Sequence, residues 1–150
     1  MKEWTKDIEI NAPIDQVWKL FDGNLEDMQK VMPNVIENKP VKETENGVGT
    51  VYRQKYREGN KVQEYDVETL EYQNDEDYKR VKVGFNLANV FEITAAYELK
   101  KLDDNKTYFR YTTSNNPLKW FLKILVKLAN SDKVVVQFVE RVKRVAEADV

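Results

Sequence analysis

The sequence predicts one α+β domain over residues 1–150: a curved, seven-stranded antiparallel sheet wrapped around a long C-terminal helix, with two short helices between strands 1 and 2. Three patterns predict it. Residues 3–10 alternate with a period of two and stop at Asn11-Ala12-Pro13. Residues 35–114 fall into short alternating segments separated by turn residues. Residues 117–147 repeat apolar side chains at alternating three- and four-residue steps. The first two periods belong to half-buried strands, the third to an amphipathic helix. An open antiparallel sheet has to cover its apolar face, and the long helix is the available cover.

The first strand places Trp4, Lys6, Ile8 and Ile10 on one side and Thr5, Asp7 and Glu9 on the other. Asn11 or Ala12 then takes a cap position, with Pro13 in the first helical turn, where its missing N–H costs nothing. Val17, Trp18 and Phe21 follow at helical spacing, and Gly23-Asn24 breaks that helix. Leu25, Met28, Val31 and Met32 form a second short helix, which Pro33 ends. Strands are predicted at Val35–Thr44, Val48–Arg57, Lys61–Tyr72, Tyr78–Asn86, Val90–Leu102 and Lys106–Ser114. Turn clusters such as Glu45-Asn46-Gly47, Glu58-Gly59-Asn60 and Asp103-Asp104-Asn105 separate them, as in a meander. In the last helix Leu118, Phe121, Leu125, Leu128, Val135, Val139, Val142 and Ala146 keep one face apolar, with Asp132 in the one missing place. Asn130-Ser131-Asp132 are cap formers in mid-pattern. They predict a break there, with a helix restarting at Asp132 and 117–129 hinged as a gate.

Composition excludes several chemistries. The chain has no Cys and no His. Disulfides, thiolate sites and Cys nucleophiles are therefore absent, and so are imidazole bases and Ser-His-Asp triads. No metal or cofactor is expected. Net charge is −2, which does not suit a polyanion binder. The N-terminus lacks the apolar core of a signal peptide, and no run nears the ~20 apolar residues of a membrane span. A soluble cytoplasmic protein is the expectation.

The inner face of the sheet carries the candidate site. Alternation assigns to it Tyr52, Gln54 and Tyr56 of the third strand, Gln63 and Tyr65 of the fourth, Phe85 of the fifth, Phe91 and Tyr97 of the sixth, and Tyr111 and Thr113 of the seventh. A solid core would be dominated by Leu, Ile and Val. Each buried Tyr or Gln needs a partner, because an unsatisfied one costs ~1–3 kcal/mol. Polar tips on an otherwise apolar concave surface suit a ligand pocket. The tyrosines and glutamines would orient an apolar or amphipathic small molecule, and Phe85, Phe91, Phe121, Leu125 and Leu128 would bury it. The alternative is a plain core whose polar tips bond to one another.

Two motifs and the element order point to a family. Ile10-Asn11-Ala12-Pro13-Ile14-Asp15-Gln16-Val17-Trp18-Lys19-Leu20-Phe21 and Asn46-Gly47-Val48-Gly49-Thr50-Val51 resemble the opening motif and the Gly-x-Gly hairpin of the START/SRPBCC superfamily. That is the helix-grip fold of START domains, pollen-allergen-like proteins and polyketide cyclases, and the resemblance spans essentially the whole chain. It implies a cavity between sheet and C-terminal helix for a lipid, polyketide or isoprenoid-like ligand. It implies no universal catalytic residue. A cyclase/aromatase-type enzyme and a protein-interaction module are the rival functions. A carboxylate facing the cavity would favour the first, and a cavity filled by its own side chains the second.

Other constellations read as structure. Gly47-x-Gly49 lies between two strands and lacks a following Lys-Ser/Thr, so a hairpin turn is expected rather than a phosphate loop. Glu64, Asp66 and Glu68 fall on one strand face and read as an exposed acidic stripe. With the opposite parity, Glu64 and Asp66 would enter the cavity as acid/base candidates. Arg53, Lys55 and Arg57 face away from Tyr52 and Tyr56, so charge and stacking do not converge on nucleic acid. Residues 117–128 hold three Lys, no acid and a wide apolar surface. Buried helix, cavity lid and transient membrane contact are its three readings.

Overall fold

The computed structural model describes residues 2–87, 91–117 and 132–148, apart from the side chains of Leu87, Phe91 and Pro117. The elements are β1 (Lys2–Ile10), α1 (Ile14–Asp22), α2 (Leu25–Val31), β2 (Val35–Lys42), β3 (Val51–Glu58), β4 (Lys61–Asn74), β5 (Tyr78–Leu87), β6 (Phe91–Asp103), β7 (Lys106–Pro117) and α3 (Lys133–Ala148). The strands make one antiparallel sheet in the order β1-β7-β6-β5-β4-β3-β2. This is the predicted helix-grip arrangement, with two short helices after β1 and a helix at the C-terminus. β2 and β1 are the edges. Pro40 sits in edge strand β2, where a missing N–H removes no ladder bond of a central strand.

Local chemistry explains the corners. Pro13 is itself the N-cap of α1, one residue beyond Ala12, the later of the two expected caps, and its carbonyl accepts from the Gln16 and Val17 amides at 3.0 and 3.2 Å. The Asn11 amide instead donates to Glu147 Oε2 at 2.8 Å, tying the β1–α1 turn to the end of α3. Thr107, fully buried, donates to the Ala12 carbonyl at 2.8 Å. Asn24 caps α2 by accepting from the Asp27 amide at 2.8 Å.

α3 buries Val135, Val139, Val142 and Ala146, the predicted stripe. It packs on β1 and β7 and against α1 and α2. Asp132 precedes its first turn: the Asp132 carbonyl accepts from the Val136 amide at 3.0 Å. Its carboxylate pairs with Lys6 Nζ of β1 at 3.0 Å. The core beneath is continuous: Ile10, Val17, Leu20, Leu99, Phe109 and Val142 are each fully buried. Removing such a side chain from water stabilises the fold by ~1.5–3 kcal/mol.

Two strands differ from their predicted extent in ways that matter for the site. β7 continues past Ser114 to Pro117, because Asn115, Asn116 and Pro117 still pair with β6 and Asn115 with Lys2 of β1. Pro117 therefore ends a strand and does not begin a helix. The expected 117–129 gate, and membrane contact through 117–128, lie from residue 118 onward outside the described residues.

β4 carries a bulge: Thr69 pairs with Val83 and Glu71 with the adjacent Lys82, leaving Leu70 as the extra residue. Before the bulge, odd-numbered residues face inward, as predicted, and Val67 and Thr69 are buried. After it, the even-numbered Tyr72 faces inward. Leu70 points outward over Gly84, where an added Cβ would come within 3.0 Å of Leu70 Cδ1.

Candidate functional site

A cavity of about 580 Å³ opens on the concave side of the sheet. Its walls come from β3, β4, β5, β6 and β7, from the α1–α2 corner at Phe21, Asp22, Gly23 and Met28, and from the β2–β3 loop at Glu43–Gly47. Among the described residues no α3 side chain lines it. α3 spends its apolar stripe on β1, β7, α1 and α2, and the described lining runs from the sheet onto α1, α2 and the β2–β3 loop; Phe121, Leu125 and Leu128, the helical residues expected against the cavity, lie outside the described residues. Phe138 of α3 stands behind the wall, with its ring centroid 4.6 Å from that of Tyr111.

Aromatic stacking separates core from cavity. Phe21 stacks on Tyr97 at 4.4 Å and on Phe109 at 5.5 Å, and Tyr97 stacks on Tyr111 at 5.4 Å. On the other side Tyr65 stacks on Phe85 at 4.9 Å. Offset pairs of this kind add ~0.5–1.5 kcal/mol beyond area burial. They hold the rings as walls, so the space between them stays open.

The structure brings Tyr52, Gln54, Tyr56, Tyr65, Phe85, Tyr97, Tyr111 and Thr113 to this one cavity. Gln63 is half-buried opposite Tyr56 and is not part of the lining. The side chain of Phe91, and all of Phe121, Leu125 and Leu128, lie outside the described residues. Glu64 and Asp66 are exposed on the convex face, where Asp66 Oδ1 lies 3.0 Å from Arg53 Nε. They are not cavity acids.

Many polar tips find partners on the wall. The Tyr65 hydroxyl donates to Gln54 Oε1 at 2.9 Å, and Gln54 Nε2 donates to Asn38 Oδ1 at 3.3 Å. Asn34 Nδ2 donates to the Tyr56 hydroxyl at 3.3 Å, and Thr113 Oγ1 to the Thr94 carbonyl at 2.9 Å. Tyr97 differs. It lines the cavity at 9% exposure, and its hydroxyl has no hydrogen-bond partner among the described residues.

The α1–α2 corner supplies residues that sequence reasoning missed. Asp22 Oδ2 accepts from Tyr72 OH at 2.9 Å and from Trp18 Nε1 at 3.1 Å. Gly47, at φ +89°, lies directly on Tyr72: a Cβ there would sit 2.8 Å from Tyr72 Cγ. The left-handed backbone and the close approach both require glycine at this turn. Gly49 has the same φ, so the Gly-x-Gly pair serves the hairpin, as expected.

Burial raises Tyr65 and Tyr97. Tyr65 is pushed up to about 12, first by burial and then by Tyr56. Tyr97 is raised well above its ordinary value by burial, then by Tyr111 and Tyr65. A phenol whose folded pKa is raised keeps its proton longer when folded, so unfolding releases protons above pH ~10. Its contribution to stability is complete below that pH and is lost as pH climbs towards 12. Urea melts should show stability declining over this window, with a shallower decline in Tyr65→Phe. A slope unchanged in that variant would contradict the burial of this hydroxyl.

Among the described residues no group of three or more carboxylates converges as a metal site, and no helix is long and apolar enough to cross a membrane.

Residues 1–147 match the family described as polyketide cyclase / dehydrase and lipid transport. The chain belongs to this family. It thereby falls in the SRPBCC superfamily that its opening motif resembles. No curated protein matches it. Solved structures of the polyketide cyclase fold superpose over nearly the whole chain. The aromatase/cyclase Zhui from Streptomyces sp. R1128 is 13% identical, with a TM-score of 0.68 over 97% of this chain and 93% of that one. Major latex-like protein 151 from Panax ginseng is 16% identical, with a TM-score of 0.67 over 99% and 96%. The di-domain aromatase/cyclase BexL of the BE-7585A biosynthetic pathway is 14% identical, with a TM-score of 0.71 over 98% of this chain. This chain spans 47% of BexL, about half its length. At such identities the likeness establishes the fold.

Proposed function

We propose that this protein binds a hydrophobic or amphipathic small molecule, of lipid, polyketide or isoprenoid-like character, in the cavity on the concave face of the sheet. The observation that carries the reading is the open space of about 580 Å³ behind rigid aromatic walls, within the range of small-molecule sites. A chain that needed the sheet only as a core would have filled it, since a void forfeits packing energy. The same space argues against a pure protein-interaction role. Family membership supports the reading, because the family's description names lipid transport beside cyclisation.

Native mass spectrometry of the protein as purified, followed by organic extraction, tests it. A bound mass recovered as an apolar or amphipathic compound is expected. Protein that arrives empty and binds no member of an apolar compound series would overturn the reading.

A cyclase/aromatase-type enzyme is the second reading, and one observation favours it. Asp22 brings a carboxylate to the lining, hydrogen-bonded to the Tyr72 phenol. Such a pair can take a proton from an activated carbon and steady the oxygen of the resulting enolate. Chemical conversion of the bound compound by wild type, lost in Asp22→Asn with binding retained, would establish this reading. Recovery of an unaltered compound leaves binding alone.

A further inference from the structure

The charge of the cavity rim is one-sided. Asp22, Glu43 and Glu45 line the cavity, and no Lys or Arg does among the described residues. The rim also holds aromatic faces. Asp22 and Glu43 both act electrostatically on the Tyr52 phenol, and Asp22 and Tyr52 both act on Tyr72. The two carboxylates and two rings therefore share one neighbourhood. Both of Asp22's hydrogen bonds go to Oδ2, which leaves Oδ1 without a protein partner among the described residues. Glu43 and Glu45 are exposed and make no ion pair among the described residues. Elsewhere on the sheet, carboxylates such as Glu37, Asp66, Glu71 and Glu98 are each matched by Lys or Arg. The rim acids are not matched in this way, and they line the cavity.

A second feature, independent of these acids, bears on what the cavity could hold. The Tyr97 hydroxyl, on a side chain more than nine-tenths buried, has no hydrogen-bond partner among the described residues. Tyr97 lines the cavity, and a ligand's polar atom there could hydrogen-bond to its hydroxyl. The site thus offers a neutral hydrogen-bonding group inside and, among the described residues, negative charge without a basic partner at the rim.

We propose that the cavity selects amphipathic cations: compounds with an apolar body among the rings and an ammonium group at the rim, beside Asp22, Glu43 and the rings of Tyr52 and Tyr72. An ammonium satisfies the free carboxylate oxygens and gains from the ring quadrupoles, which attract cations within ~6 Å. A carboxylate-headed ligand such as a fatty acid meets repulsion at the same place. This inference rests on the proposed small-molecule binding and specifies the ligand class.

Calorimetric titration of the full chain with octylamine, octanol and octanoate tests it, because the three share one apolar body. At low salt octylamine should bind roughly tenfold tighter than octanol, and octanoate weaker than both. The amine's advantage should shrink in high salt, where surface charges are screened. The double variant Glu43→Gln, Glu45→Gln changes only exposed loop side chains, so its fold is safe. It should lose most of the amine's advantage over octanol. Octanol or octanoate binding as tightly as octylamine would overturn the charge selection and leave the cavity's binding role standing. Binding of none of the three would overturn both.

Discussion

Phe109→Ala loses about 3–5 kcal/mol of folding stability, read as a fall in the urea midpoint with an unchanged slope. Phe109 is fully buried and its ring lies 5.5 Å from that of Phe21. It pairs with Ile8 on β1 and Leu99 on β6, so three strands close around it. A fully enclosed site cannot collapse onto the space a removed ring leaves, which places the cost near the top of the large-to-small range. A domain holds only ~5–15 kcal/mol in total. The variant should therefore also loosen Phe21 and, through it, the Tyr97 wall of the cavity. A loss below about 1 kcal/mol would mean that the aromatic partition is not a structural element.

The second large effect runs the other way, with binding lost and stability kept. Ala95 and Val67 line the cavity from β6 and β4. Ala95→Trp combined with Val67→Phe puts two large rings into the empty space, and both are favourable strand residues. Overpacking a filled core costs ~1–3 kcal/mol, but here the volume is vacant, so stability should stay within about 1 kcal/mol of wild type. Affinity for octylamine should fall tenfold or more. Wild-type affinity in this folded variant would place the ligand somewhere else.

Much of this was legible in the sequence because alternation is a strong code when one face is buried. β3, β5, β6 and β7 kept their predicted parity, which is why Tyr52, Phe85, Tyr97 and Tyr111 meet at the cavity. The helical stripe Val135, Val139, Val142 and Ala146 was readable for the same reason. What escaped was set by contacts between elements. Tyr72 was hidden because one extra residue at Leu70 reverses the count. Asp22 ends a short helix, and nothing in a single sequence says which way that end will point until α1 docks on the sheet. Asn115-Asn116-Pro117 has turn composition, yet pairing with β6 overrides it. Cavity and core also share residue types. Phe109 and Tyr111 alternate identically, and only the depth of the packing separates one from the other.

The bulge in β4 has a consequence for how this chain tolerates changes of length. Where two strands pair without a bulge, losing one residue turns every later side chain of that strand to the opposite face. Leu70 is the residue that β4 carries beyond what β5 matches. Its deletion alone would keep Thr69 inward, Glu71 outward and Tyr72 inward. It would straighten the strand beside the rim and uncover Gly84, which has no side chain of its own to fill the gap. A shortened β4 would then accept alanine or valine at position 84, where the present chain cannot without displacing Leu70. The two positions form a coupled pair through which a lineage could flatten or re-bend the entrance and leave the wall's tyrosines in place.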